Sequence, residues 1–262
     1  SKEICKLFQD VRANKSIKTV VFRVNSPGGS ALASDEIWRE VKLTNKVKKV
    51  IVSMGDVAAS GGYYIATPAT RIFAESKTIT GSIGVFGVIP FIGDMLTDKL
   101  GLTFDRATTN KHAVLSLNKK LSSEELSYLQ DEVDLIYKEF LSRVAEGRGM
   151  SVEQVNAIAR GRVWAGEDAL KIGLVDEIGG IDKAIAYASK LAGLSKPKVL
   201  YYPLQKEDPF GELIEKIQEE EFAQSESKSS VSEELMHYYE RLKLLDQLSG
   251  IQMRLPLYID FN

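Results

Sequence analysis

Residues 46–76 read KVKKVIVSMGDVAASGGYYIATPATRIFAES, and the punctuation of this stretch decides the fold. KVKKVIVSMG (46–55) is predicted as a β-branched strand ending at Gly55. Residues 57–69 follow as a loop running into a helix, and TRIFAES (70–76) as the next strand. Upstream the same grammar recurs. KTVVFRVNSPGG (18–29) predicts a buried strand over Val20–Val24 that ends in a Pro-Gly-Gly loop, and SALASDEIWREVKL (30–43) predicts a helix. Strand, helix, strand and helix in short succession predict a mostly parallel α/β sheet with helices outside it. The loops after the first two strands, carrying Gly28-Gly29 and Ser60, then fall at strand carboxyl ends. Ligands bind there in open α/β sheets.

Other elements fit around this frame. Residues 2–14 predict an amphipathic helix with Ile4, Leu7, Phe8 and Val11 on one face. TITGSIGVFG (78–87) is a glycine-punctuated turn and strand. Residues 121–150 predict a long amphipathic helix, N-capped by Ser122 with Glu125 three residues on. SVEQVNAIARG (151–161) is a shorter helix. Residues 162–193 hold a turn, a small strand-like piece and another helix. KVLYYP (198–203) is expected as a late strand. Residues 208–248 are expected to be helical around a polar break at 224–230, and 251–262 extended. The expected division is an α/β domain over 1–200 and a helical extension over 201–262. The extension is expected to serve oligomerisation or interdomain contact.

Composition narrows the function. The net charge of −2 supplies no basic excess for phosphates, which argues against nucleic acid as a partner. One cysteine, Cys5, excludes an internal disulfide framework, and the two histidines, His112 and His237, make a histidine-rich metal site unexpected. No apolar run reaches the roughly 18 residues of a membrane span. No metal or cofactor is expected.

Ser60 stands between two alanines and two glycines. Such a serine is either an N-cap or a nucleophile open to a substrate backbone, with the Gly61 N–H beside it. It is not the Gly-x-Ser-x-Gly elbow, because Ala58 holds the first glycine position. Gly28 and Gly29 after a strand are either a positive-φ turn or backbone donors for an oxyanion. A serine nucleophile needs a base. His112 is present without an obvious orienting acid, and Lys111 is adjacent to it. A lysine serves if its pKa falls from about 10.4 toward about 7, a shift worth roughly 4 to 5 kcal/mol. Ser82, in TGSIG, is either a turn serine or a hydroxyl that orients a neutral amine.

Three stretches together, VVFRVNSPGGSALASDEI (20–37), VSMGDVAASGGYYIATPATRIFAESKTITGSIGVFG (52–87) and RVWAGEDALKIGLVDEIGG (162–180), resemble the signal peptide peptidase A (protease IV) family. The resemblance covers residues 3–195 and is closest to the C-terminal half of long, two-domain members. It implies a Clp protease/crotonase-like spiral of strand-strand-helix units, here with C-terminal helices. It also implies a metal-free serine protease with a Ser-Lys dyad. By the motifs, Ser60 is the nucleophile, Ser82 hydrogen-bonds the lysine, and Gly28 or Gly29 joins Gly61 in the oxyanion hole. TTNKHAVLSL (108–117) sits where the lysine loop belongs. Lys111 is the candidate base, with a lysine from a half outside this chain as the alternative. The implied substrates are signal-peptide remnants in the bacterial inner membrane, cleaved by a ring-shaped homo-oligomer facing the periplasm or cell exterior. Membrane attachment would come through a segment absent from this chain. A non-catalytic half-domain and a crotonase-type acyl-CoA enzyme are the competing readings.

Overall fold

The computed structural model of the chain describes residues 1–110, 116–203 and the backbone of 250–254. Residues 1–196 with 250–254 belong to one compact unit, and 197–203 to a second. The helices and strands of the first unit run α1 (Lys2–Ala13), β1 (Val20–Ser26), β2 (Gly28–Ser30), α2 (Ala31–Val47), β3 (Val50–Ala59), α3 (Gly61–Ala66), β4 (Arg71–Ala74), β5 (Ile79–Gly81), β6 (Phe86–Val88), α4 (Gly93–Asp98), α5 (Ser123–Arg148), α6 (Val152–Ile158), β7 (Val163–Ala165), α7 (Gly166–Lys171), β8 (Glu177–Ile178), α8 (Ile181–Leu191) and β9 (Gly250–Arg254).

β3 is the spine. β1 pairs with it in parallel along one edge, and β4 and then β5 take successive halves of the other edge. β8 extends the sheet in parallel beyond β4, and β7 pairs antiparallel with β5. This is the mostly parallel α/β architecture that the order of strands and helices predicts. Both faces of β3 are covered, so its apolar run is nearly continuous. Val50, Val52 and Met54 join the main core with Val41, Tyr64, Phe140 and Val144, while Ile51 packs with Phe73, Ala184 and Ala188 in a separate cluster.

The expected end of β3 at Gly55 is wrong by four residues, since the strand continues to Ala59. Pairing shifts register between Val24↔Met54 and Ser26↔Ala58, which places extra β3 residues in a bulge. Asn25 supports the bulge: its Oδ1 accepts the Val57 N–H at 3.1 Å, and a Cβ on Gly55 would lie 2.8 Å from the Asn25 side chain. Gly55 is therefore the point of closest approach inside the strand, not its terminus. The Pro-Gly-Gly segment likewise departs from the expected loop, because Gly28–Ser30 forms β2. KVLYYP forms no strand: Val199, Leu200 and Tyr201 are all exposed, and an apolar run needs a partner edge to become a strand. The expected helix over 208–248 lies outside the described residues.

The long helix begins where its cap predicts. Ser122 Oγ accepts the Glu125 N–H at 3.2 Å, and a Glu125 carboxylate oxygen accepts the Ser122 N–H at 2.8 Å. Its far end is tied into the sheet. Arg148 grips Asp176 bidentately at 2.6 and 3.1 Å, and Asp176 in turn accepts the Ile72 N–H at 2.7 Å.

A second, smaller sheet has the order β2-β9-β6. Its antiparallel pairs are Gly28↔Arg254 and Ser30↔Gln252 on one side, and Phe86↔Gln252 and Val88↔Gly250 on the other.

Candidate active site

The candidate residues are aligned by strand register. Ser26, Ala58 and Thr80 form one row across β1, β3 and β5, because Ser26 pairs with Ala58 and Ala58 with Thr80. Gly28, Ser60 and Ser82 each stand two residues beyond that row. A strand advances about 6 to 7 Å in two residues, so the three positions leave the sheet together at its carboxyl edge. The Thr80 hydroxyl fastens the row by donating to the Ala58 carbonyl at 2.7 Å.

Among the described residues, three non-glycine positions have positive φ: Ser60 (53°), Ser82 (48°) and Arg160 (62°). Two of them are the candidate hydroxyls. Ser60, at φ 53° and ψ −116°, occupies a region that costs of order 1–3 kcal/mol outside glycine. It does so although Gly61 and Gly62 are its neighbours. Ser60 precedes α3 but its hydroxyl makes no capping hydrogen bond to that helix. Instead Oγ points to the Gly84 carbonyl at a long 3.4 Å. The bland N-cap reading of Ser60 thus lacks its hydrogen bond.

The strained turn is held on every side. The Ser60 N–H donates to the Gly81 carbonyl at 2.8 Å, and the Ser60 carbonyl accepts from Tyr64 N at 2.8 Å. α3 presses against the end of β1: a Cβ on Gly62 would lie 2.4 Å from the Ser26 carbonyl oxygen. Tyr63 and Tyr64, which are absent from the residues expected at the site, anchor α3. The Tyr63 hydroxyl donates to the Leu174 carbonyl at 2.8 Å, and the Tyr64 hydroxyl to Asp35 Oδ1 at 2.7 Å. Burial pushes both phenols above their usual pKa, so they stay protonated donors. The GGYY dipeptide pairs were a usable signal, since buried tyrosines need partners for their hydroxyls.

Ser82 is braced by the turn after α6. Its N–H donates to the Arg162 carbonyl at 2.7 Å, and the Ile83 carbonyl accepts the Gly161 N–H at 2.9 Å. The third strained residue, Arg160, belongs to this brace. Gly81 carries φ 75°, and a Cβ there would lie 2.7 Å from Trp164 Cδ1, so the tryptophan closes over the turn. Ser60 and Ser82 are both buried.

Of the glycine pair, Gly28 adopts φ 106°, which favours glycine, and its N–H is directed at Ser26 Oγ at 3.2 Å. Gly61 opens α3 directly after Ser60. The structure therefore brings Ser60, Ser82, Gly61 and the Gly28-Gly29 pair to one edge of the sheet. Lys111 and His112 lie outside the described residues. Among the described lysines, Lys48 is buried, but it precedes β3, and the ten residues of that strand separate it from Ser60. That is about 30 Å at strand rise. Among the described residues, no group of three or more His, Cys, Asp or Glu side chains could hold a metal ion, and no helix is long and apolar enough to cross a membrane.

Comparison with known proteins points the same way. The model of peptidase family S49 matches residues 42–195. Protease 4 of Salmonella typhi is 44% identical over 195 residues, which is 74% of this chain and 31% of that protein. A chloroplastic serine protease, SPPA, of Arabidopsis thaliana is 40% identical over 196 residues, 74% of this chain and 29% of that protein. A putative protease of Synechocystis is 39% identical over 199 residues, 76% of this chain and 71% of that protein. The chain thus spans about a third of the length of the first two relatives.

Proposed function

The chain belongs to peptidase family S49, and from that premise we propose that it is a serine endopeptidase domain with Ser60 as nucleophile. The observation that carries the reading is the strained backbone of Ser60 at the end of β3, with its hydroxyl unused as a cap. A serine held at an unfavourable φ by surrounding hydrogen bonds is presented, not merely accommodated.

The chemistry follows from the placement. Ser60 Oγ forms a bond to the scissile carbonyl carbon while its proton passes to a neutral amine, that of Lys111. The carbonyl oxygen becomes an oxyanion and receives backbone N–H groups from Gly61 and from the Gly28-Gly29 pair. Gly29 is favoured within the pair, because the Gly28 N–H is directed at Ser26. Collapse breaks the C–N bond, and the ammonium returns its proton to the departing amine. Water then hydrolyses the acyl-enzyme by the same route. Ser82, beside Ser60 at the edge of the sheet, orients the amine. Residues 1–200 carry this chemistry, and the expected substrates are peptide segments of the signal-peptide type at the bacterial inner membrane, cleaved by a homo-oligomer.

A second reading supplies the lysine from outside this chain. The observation favouring it is the chain's span of about a third of its longer relatives. Fluorophosphonate labelling, read by mass spectrometry, separates the two. Labelling of Ser60 in the parent, lost in Ser60→Ala and in Lys111→Ala, is the expected result for a self-contained dyad. Labelling that persists in Lys111→Ala assigns the base elsewhere in the chain, and no labelling of either chain assigns it to a half outside this chain or favours a non-catalytic scaffold. A Ser60→Ala chain that keeps full peptidase activity overturns the nucleophile.

A further inference from the structure

The turn that carries Ser82 is shaped from outside its own strand. Between α6 and β7 the chain reads Ala159-Arg160-Gly161-Arg162. Ala159 is the C-cap of α6, and two residues with positive φ follow it, Arg160 at 62° and Gly161 at 73°. A left-handed residue just past a helix end is ordinary when it is glycine. Arg160 carries a Cβ, which makes that conformation unfavourable. The residue is exposed, so burial of its side chain does not offset the cost.

A side chain of another helix holds the conformation. The Tyr137 hydroxyl, on α5, accepts the Arg160 N–H at 3.2 Å and donates to Asn156 Oδ1 at 2.8 Å. The tyrosine packs against the main core, so its hydroxyl is a fixed point. Two further side chains tie the returning chain to the end of α6. Arg162 Nη1 donates to the Ala157 carbonyl at 2.7 Å, and Trp164 Nε1 to the Ile158 carbonyl at 3.1 Å. From Arg160 the geometry passes directly to the candidate site. The Gly161 N–H donates to the Ile83 carbonyl at 2.9 Å, and the Ser82 N–H to the Arg162 carbonyl at 2.7 Å. A Cβ on Gly84 would lie 3.0 Å from the Gly161 backbone, and Gly84 supplies the carbonyl that faces Ser60 Oγ. A shift of residues 160–162 therefore moves Ser82 and the Gly84 carbonyl together.

We propose that Tyr137 is a positioning residue: its hydroxyl, steadied by Asn156, holds Arg160 in the left-handed conformation that sets the Ser82–Gly84 turn against Ser60. Its consequence in catalysis rests on Ser60 as nucleophile and Ser82 as the hydroxyl that orients the amine; the placement of the turn rests on hydrogen bonds alone. Water can satisfy the exposed Arg160 N–H once the hydroxyl is gone, but water anchors nothing.

The test is Tyr137→Phe in the full chain, which keeps the ring and removes the hydroxyl. Amide exchange at Gly161 and Ser82 should accelerate while β3 stays protected. The rate constant for Ser60 modification at saturating fluorophosphonate should fall about tenfold, a fraction of the roughly 100-fold that a 1 Å misplacement costs. The half-saturating probe concentration should not change, because a misplaced turn costs orientation rather than affinity. Arg160→Gly removes the unfavourable φ, so adding it to Tyr137→Phe should recover most of the lost rate. A parent-like rate in Tyr137→Phe overturns the proposal, as does a loss that the added Arg160→Gly leaves untouched. Unchanged exchange at Gly161 and Ser82 overturns it too. Failure of the nucleophile reading has a different signature: no chain, the parent included, is labelled at Ser60, while amide exchange still decides whether the hydroxyl holds the turn.

Discussion

The two ends of β3 each hold a buried polar side chain, and they are built to opposite specifications. At the entry, Lys48 spends its ammonium on the end of α1, donating to the Val11 carbonyl at 2.7 Å and also to the Asn14 carbonyl. Burial, with Lys18 nearby, pulls its pKa down. Even so, the hydrogen bonds give the charge a defined partner in backbone dipoles. At the exit, Ser60 has a strained backbone, and the hydrogen bond of its hydroxyl among the described residues, to the Gly84 carbonyl, is 3.4 Å long. A saturated buried group stabilises a fold. A strained group with hydrogen-bonding capacity left over is one that the surroundings hold ready for something else.

Replacing the exit residue gives the largest expected effect. Ser60→Gly removes the proposed nucleophile and also the Cβ that makes φ 53° costly. Turnover should drop by about 10⁴-fold or more. At the same time thermal denaturation should show a chain more stable by about 1 kcal/mol. An inactive but destabilised variant would break the comparison, because the strain would then not reside at Ser60. Lys48→Met tests the entry. Keeping the stem and losing the donors leaves the buried Val11 carbonyl and the half-buried Asn14 carbonyl short of a partner, for a cost of about 1–3 kcal/mol. The labelling rate of Ser60 should stay that of the parent, and a large change would mean that the two ends communicate.

The same contrast explains what was legible in the sequence. Ser60, Ser82 and the glycine pair announce themselves through their small neighbours, since a site that admits another backbone must be cleared locally. The strand order follows from β-branched runs separated by helical spacing, which is also local. The continuation of β3 past Gly55 was invisible because its cause is Asn25, on a different strand. The brace of Ser82 was invisible for the same reason: it comes from the carbonyl of Arg162, eighty residues on. β9 is more distant still, for its extended character could be read from the terminal residues, but not the edges it joins. Lys111 was reached by motif alone, and its placement lies outside the described residues. Sequence thus displayed the residues proposed to meet a substrate and concealed those that hold them.

The smallest expected effect concerns a third buried group, which belongs with Lys48 rather than with Ser60. The Glu125 carboxylate accepts from Lys119 Nζ and from the Ser122 N–H and Oγ, and these hydrogen bonds, with the lysine first, bring its pKa down from 4.5 to about 2. A carboxyl with a lowered pKa in the folded chain binds its proton more weakly there than in the unfolded chain. Its contribution to stability is therefore complete above the unfolded value and is lost as pH falls from about 4.5 toward 2. Amide exchange across the first turn of α5 should accelerate over that window, with β3 still protected. Glu125→Gln keeps an acceptor for the Ser122 N–H and loses the charge, so it should flatten the pH dependence while the cap persists. Because Glu125 is saturated by its own helix start and a neighbouring lysine, neither change should alter labelling of Ser60 at neutral pH. A variant that did alter it would place the α5 start in contact with the site, and the division between saturated and strained buried groups would have to be redrawn there.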